Sequence, residues 1–221
     1  MEKYMPEVMR FRPDGDNSFR ANRFALVREL IYKVLRENKL CNILDIGGTS
    51  GYWSSLGGDL DWNRVRVVLV NLSAAPTDFH GLECIIGDAR RLDQFSDMSF
   101  DIVHSNSVIE HVGRWVDMES MAKEVRRLAP RYIIQTPYFW FPIEPHARFP
   151  LLHWMPESWR YRILMRRTCG FWKQQPDLGR AVAAIQSANL LDKQQFQYLF
   201  PDAKIIVERF IGIPKSLMAV R

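Results

Sequence analysis

The sequence predicts a doubly wound α/β fold: a mainly parallel seven-stranded sheet with an antiparallel last strand and a cap inserted after the fifth. Three observations predict it. Short apolar runs rich in Val and Ile alternate with amphipathic stretches, the alternation breaks after Pro137, and it returns with two strands joined by a short link. Alternation of strand and helix implies right-handed crossovers and a sheet covered on both faces.

The elements follow in order. From Ser18 to Asn38, Phe24, Val27, Leu30, Ile31, Val34 and Leu35 recur at helical spacing, so residues 1–40 are expected to be a helical lead-in packed ahead of the first strand. Five runs then read as strands buried on both faces: Asn42–Ile46, Val65–Val70, Leu82–Ile86, Phe100–Val103 and Arg131–Thr136. Between the last two, Val116–Ala129 is a helix with Met118, Met121, Ala122, Val125 and Leu128 on one face. Residues 138–176, dense in Pro, Trp, Phe and Arg, form the inserted cap. Beyond it, Leu178–Ala188 and Lys193–Phe200 read as helices. Ala203–Arg209 and Ser216–Val220 read as strands whose link, with Gly212 and Pro214, suits an antiparallel return.

Composition narrows the function classes. A chain of 221 residues, 47% hydrophobic and 25% charged, has the proportions of one globular domain over residues 1–221. Its opening is charged and broken by Pro6 and Pro13, unlike a secretory signal, and no run approaches the roughly 18 apolar residues that span a bilayer. A cytoplasmic protein is expected. Cys41, Cys84 and Cys169 are odd in number and far apart, which fits reduced thiols. The net charge of +5 gathers at Arg10–Arg28 and Arg160–Arg167, which read as solvated helix faces. Without a nucleic-acid motif beside them, no nucleic-acid partner is expected. His104 and His111, like His146 and His153, are seven residues apart, and with no His-x-x-x-His or carboxylate cluster no bound metal is expected.

Ligands of open α/β sheets bind outside the C-terminal ends of the strands, and the distinctive residues here follow strands. The first run leads into Asp45-Ile46-Gly47-Gly48-Thr49-Ser50-Gly51, an acidic residue ahead of a small-residue loop. Thr49 breaks the G-x-G-x-x-G spacing of a nicotinamide loop, and no Gly-Lys-Ser/Thr follows for a phosphate-cradling one.

At this point the sequence resembles the class I S-adenosylmethionine-dependent methyltransferases, whose first-strand motif, acidic-x-G-x-G-x-G, is matched by Asp45, Gly47 and Gly51. The resemblance runs from Asn42 to Pro137, resumes from Ala203, and implies a Rossmann-like sheet with S-adenosylmethionine as cofactor. It implies that Asp45 addresses the methionine ammonium, while Gly47, Gly48, Thr49 and Gly51 pass beneath the methionine and ribose. Thr49 stands in place of the family's middle glycine, which implies a displaced or slightly wider loop. Asn71 stands where the family has the acidic residue that grips the ribose hydroxyls. Exchanging a charge-assisted hydrogen bond of about 1.5–3 kcal/mol for a neutral one of about 1 lowers cofactor affinity by roughly tenfold. Asp88 and Ala89 match the adenine-binding turn. The fourth run continues as His104-Ser105-Asn106-Ser107-Val108-Ile109-Glu110-His111, similar to the Ser-x-x-Glu-His segment of small-molecule and quinone-type methyltransferases. By that resemblance the segment lies over the reactive end of the cofactor, with Ser105 and Asn106 among the cofactor contacts and His104 shaping the pocket.

Methyl transfer from a sulfonium needs alignment and exclusion of water, and a base assists when the acceptor is an alcohol. His111 is the first candidate base, Glu110 its orienting neighbour and His146 the second candidate. The segment Pro137–His146 starts where the fifth run ends, so Tyr138 and Trp140, with Phe139 and Phe141, are expected to wall the acceptor, and Glu144 and His146 to supply its polar points. Leu151–Arg167 reads as an amphipathic cap with an Arg-rich face toward an anionic acceptor or a lipid surface. The expected activity is methylation (EC 2.1.1.-) of a small-molecule, glycan or lipid-linked acceptor. Two other readings stay open: a non-catalytic module that keeps the fold, and a nicotinamide oxidoreductase.

Overall fold

The computed structural model describes residues 8–10, 16–73 and 77–221. In chain order it holds β1 (Val8–Arg10), α1 (Asp16–Glu37), β2 (Cys41–Ile46), α2 (Ser50–Leu56), β3 (Val65–Asn71), β4 (Leu82–Ile86), β5 (Ile102–Asn106), α3 (Trp115–Leu128) and β6 (Arg131–Pro137). The cap follows with β7 (Ile143–Glu144), β8 (Phe149–Pro150) and α4 (Glu157–Arg166). The chain then continues through α5 (Leu178–Gln186), α6 (Lys193–Leu199), β9 (Lys204–Phe210) and β10 (Ile213–Val220). Single 3₁₀ turns sit at Ile109–His111 and Leu152–Trp154.

The main sheet runs β1-β9-β10-β6-β5-β2-β3-β4, and β10 alone runs antiparallel to its neighbours. The seven expected strands are all there, with an eighth added. The lead-in expected to be helical over residues 1–40 includes strand β1, which pairs in parallel with β9, Val8 opposite Val207. An edge strand leaves a row of unpaired backbone groups, and a short extended segment satisfies them. Pro6 and Pro13 lie outside the described residues.

The fourth expected strand is displaced toward the C-terminus, from Phe100–Val103 to Ile102–Asn106. Polar residues enter this buried strand because each has a partner, as burial demands. His104 Nδ1 lies 2.7 Å from Asp45 Oδ1, Ser105 donates to the Ile46 carbonyl at 3.0 Å, and Asn106 Oδ1 accepts from Arg23 at 3.0 Å.

Both faces of the sheet are covered, as the double winding requires. α3 and α6 bury Met118, Met121, Val125, Phe196 and Leu199 on one side; α1 and α2 bury Phe24, Val27, Ile31, Val34 and Trp53 on the other. The cap has a small core of its own, Ala147, Leu152 and Cys169 with Phe149 and Ile163 against them, and α4 packs on α5. β9 and β10 join through Ile211 and Gly212 at φ 48° and 81°, the paired left-handed residues of a tight hairpin. Cys41, Cys84 and Cys169 are free. No helix among the described residues is long and apolar enough to cross a membrane.

Candidate active site

Three cavities adjoin at the C-terminal ends of β3, β2, β5 and β6, around the point where the winding reverses. The first, about 380 Å³, has Ile46, Val70, Asn71, Asp88 and Val108 in its walls. The second, about 720 Å³, has Arg20, Asp45, Tyr52, His104 and Asn106. The third, about 480 Å³, has Arg20, Arg23, Asn106, Glu110, His146 and Lys215. Gly47 borders the first two, and Arg20 and Asn106 border the last two, so the three lie along one trough.

The loop after β2 is shaped by its small residues. Gly47 sits at φ 74°, and a Cβ there would come within 2.3 Å of Val108 Cγ2. At Gly48 a Cβ would meet Asp45 Oδ2 at 2.0 Å. Gly51 differs: nothing lies within 4 Å of the place a Cβ would take, and the residue borders the second cavity. Thr49 turns its hydroxyl onto the start of α2, where it accepts from the Tyr52 N–H at 3.4 Å. It caps the helix in the ordinary way for threonine.

Asp45 is buried and doubly held, one oxygen accepting from Trp53 Nε1 at 2.7 Å and the other from His104 Nδ1 at 2.7 Å. Asn71 donates its amide to the Gly48 carbonyl at 2.9 Å. The expectation that this amide both donates to and accepts from a ribose is thereby narrowed, since its N–H tethers the loop and its Oδ1 is left to accept. Asp88 is gripped by Arg90, whose Nη2 lies 2.6 Å away, and that hydrogen bond holds the carboxyl below the usual range. Ala89 borders the first cavity beside it. Ser105 is fully buried and spends its hydroxyl on Ile46, so its side chain does not reach a cavity as expected. Its role is to tie β5 to β2.

Between the first and third cavities stands a polar cluster. Ser107, left-handed at φ 57°, turns the chain from β5 into the 3₁₀ turn that carries Glu110 and His111. Glu110 is fully buried; Thr136 donates to its Oε2 at 3.0 Å, while its Oε1 has no hydrogen-bond partner. Burial raises its pKa, against the lowering influence of His111 and Thr136. His111 donates from Nδ1 to the Ser187 carbonyl at 2.8 Å. His146 donates from Nδ1 to Glu144 Oε1 at 2.7 Å, and Glu144 also accepts from the Ala147 N–H. The two Nε2 atoms face each other at 3.0 Å. Burial depresses the His146 imidazole, but the hydrogen bond and charge of Glu144 and the charge of Glu110 outweigh it, and the net shift is upward.

The cap residues divide differently from the expectation. Tyr138 packs against the main core and its N–H continues the sheet to the Lys215 carbonyl at 3.0 Å, so it is a structural residue rather than an acceptor wall. Trp140 is 56% exposed and leans on Trp154, away from the third cavity. Glu144 borders a separate cavity of about 460 Å³ between the cap and α3. The third cavity is instead walled by Phe19, Phe141, Ile143 and Phe171, with Arg20, Arg23, Arg148 and Lys215 as cations. Sequence reading missed Arg20 and Arg23, which it placed on a solvated helix face. Their spacing, one turn apart and next to buried Phe24, was the available signal.

Residues 44–131 match the family model described as a methyltransferase domain. No curated protein matches the chain by sequence. Among solved structures, the PH0226 protein from Pyrococcus horikoshii OT3 is similar at 21% identity over 89% of each chain, with a TM-score of 0.50. A SAM-dependent methyltransferase from Methanosarcina mazei is similar at 14% identity over 88% of this chain and 94% of that one, TM-score 0.52. The magnesium protoporphyrin IX methyltransferase from Synechocystis PCC 6803 with bound SAH gives 12% identity over 96% and 90%, TM-score 0.50. At such identities these likenesses are of fold. The matched segment runs from within β2 to the first residue of β6, and over the chain as a whole the likeness is to the Rossmann-like fold that these methyltransferases share.

Proposed function

We propose that the protein is a methyltransferase that uses S-adenosylmethionine and methylates an organic acceptor bearing an acidic group. The observation that carries this reading is the trough of three cavities with complementary chemistry. The first has apolar Ile46, Val70 and Val108 for adenine, Asn71 Oδ1 to accept from a ribose hydroxyl, and Asp88 with Ala89 at the far end. The second presents the buried Asp45 carboxylate to an ammonium group and, at Gly51, the open volume that a Cβ would fill. These residues fit the cofactor. When bound, S-adenosylmethionine supplies a methyl group already activated by its sulfonium.

The protein's task is then to align the acceptor and keep water out. Phe19, Phe141 and Phe171 offer an apolar wall, and Arg20, Arg148 and Lys215 offer charge for a carboxylate or phosphate. A small acid, an acidic glycan and a lipid-linked phosphate all meet that description. Glu110, His111 and His146 face the seam where the cofactor and acceptor regions meet, which suits them to hold the accepting atom. Residues 138–176 serve as the acceptor cap. Free cysteines, two of them buried, fit a reducing compartment, and we place the protein in the cytoplasm.

Calorimetry with S-adenosylhomocysteine tests the reading. Micromolar binding is expected, weakened at least tenfold by Asp45→Asn and kept by His111→Ala, while turnover on an anionic acceptor is lost in the latter and Arg20→Ala raises KM. Millimolar or absent affinity would favour the non-catalytic module, and tighter binding of NADH the oxidoreductase.

A further inference from the structure

We propose that Glu110, His111 and His146 form a binding site for one divalent transition-metal ion of the Zn²⁺ type, at the seam between the first and third cavities. One ligand atom from each of the three lies within 4.8 Å of the others. Hydrogen positions point to a cation. His111 Nδ1 faces the Ser187 carbonyl and His146 Nδ1 faces a Glu144 carboxylate oxygen; both partners only accept, so each Nδ1 carries the hydrogen. In neutral imidazoles the two Nε2 atoms are then bare lone pairs, yet they face each other at 3.0 Å. Lone pairs so close repel one another unless a proton on one Nε2 or a metal ion lies between them, and it is the third ligand beside them that favours the metal ion.

Glu110 supplies the independent observation. Its side chain is fully buried and its Oε1 has no hydrogen-bond partner, which a nearby cation would remedy. The outer partners also fit. Ligating histidines commonly donate their other ring N–H to a carboxylate or backbone carbonyl, as both do here. Two imidazole nitrogens and one carboxylate oxygen suit a borderline cation such as Zn²⁺ and leave a fourth position for water or acceptor. Nitrogens about 2.0–2.1 Å from a tetrahedral ion sit roughly 3.3–3.4 Å apart, so the histidine pair needs to open by only a few tenths of an ångström. The expectation of no metal rested on local spacing, and His146 joins the other two from 35 residues beyond His111.

The test uses the full chain, stripped with a chelator and titrated with Zn²⁺, Co²⁺ or Mg²⁺ without any cofactor. One equivalent of Zn²⁺ is expected, at least tenfold tighter than Mg²⁺, and Co²⁺ should develop the absorption of a tetrahedral complex. His146→Gln and Glu110→Gln should each abolish stoichiometric binding, and Glu144→Gln should weaken it by about 10–100-fold through the outer partner. His146 is partly exposed in the cap, so its variant decides the matter if Glu110→Gln does not fold, as judged by circular dichroism. Substoichiometric Zn²⁺, affinity unchanged in His146→Gln, or a histidine NMR spectrum showing one shared proton and no response to metal would overturn the proposal. Because no cofactor is present, failure here leaves the methyltransferase reading standing, and loss of S-adenosylhomocysteine binding leaves this site standing.

Discussion

Arg23 of α1 grips Glu208 of β9, 185 residues away in sequence, with Nε 3.0 Å from Oε1, while its Nη1 reaches Asn106 Oδ1 at 3.0 Å. Glu208 is fully buried, and Ser216 also donates to it. Removing one partner of such a pair strands a charge in the interior at a cost of about 3–5 kcal/mol. Arg23→Ala is expected to lose that much stability in urea unfolding, and pairing Arg23→Leu with Glu208→Leu to recover most of it. A loss under about 1 kcal/mol would show the pair behaving as an exposed one.

Gly48 and Gly51 make opposite predictions. A methyl at Gly48 collides with the Asp45 carboxylate, so Gly48→Ala should cost about 1–3 kcal/mol, read by thermal unfolding. At Gly51 nothing protein-borne is in the way, and Ala in α2 should stabilise by up to about 0.5–1 kcal/mol. Gly51→Leu should fold normally yet weaken S-adenosylhomocysteine binding more than tenfold, because the added side chain fills the second cavity.

Asn71 acts through the loop as well as through a ligand. Asn71→Ala removes the donor that tethers the Gly48 carbonyl, a hydrogen bond contributing about 1 kcal/mol. With the acceptor atom also gone, S-adenosylhomocysteine affinity should drop about tenfold by calorimetry. Unchanged affinity would remove Asn71 from the binding surface.

His153 gives the cap a pH dependence. It donates from Nε2 to the Phe139 carbonyl at 2.7 Å, and burial, its largest influence, holds the imidazole below the ordinary value of about 6.5. The folded chain then binds this proton less readily than the unfolded one. Stability from this group is therefore fully present above about pH 6.5 and declines as pH falls below it. His153→Gln keeps a donor and removes the titration, so its urea midpoint should fall less steeply than that of the parent between about pH 7 and 5.5. Parallel curves for the two proteins would exclude the effect.

Interior parallel strands are legible because burial on both faces makes them continuous apolar runs, which is why β2, β3 and β6 stand where sequence placed them; β4 also stands in place, but at the sheet edge and only partly covered, contrary to the burial on both faces expected of it. β5 slipped because its latter half is polar, and only tertiary partners such as Asp45 for His104 make that acceptable. β1 has three residues and no periodicity to read. In the site, Glu110 and His111 were visible as neighbours on a strand end, whereas the approach of His146, Glu144 and Ser187 depends on how the cap folds back. Tyr138 and Trp140 were misplaced because aromatic composition does not say which side of a loop a ring takes. Arg20 and Arg23 were misplaced because a basic helix face looks alike whether it meets water or a cavity.

The trough borrows one wall from α1 and its anchorage from β9 and β10, so it comes into being only once segments from widely separated parts of the chain have met. Contacts of that span are the slowest kind to form. A nascent or half-folded chain can hold the central βαβ units and the first cavity, whose lining falls between residues 46 and 112, while the third cavity still lacks the walls that α1 and β10 supply. Occupation of the third cavity therefore reports finished folding, which collapse or secondary structure alone does not.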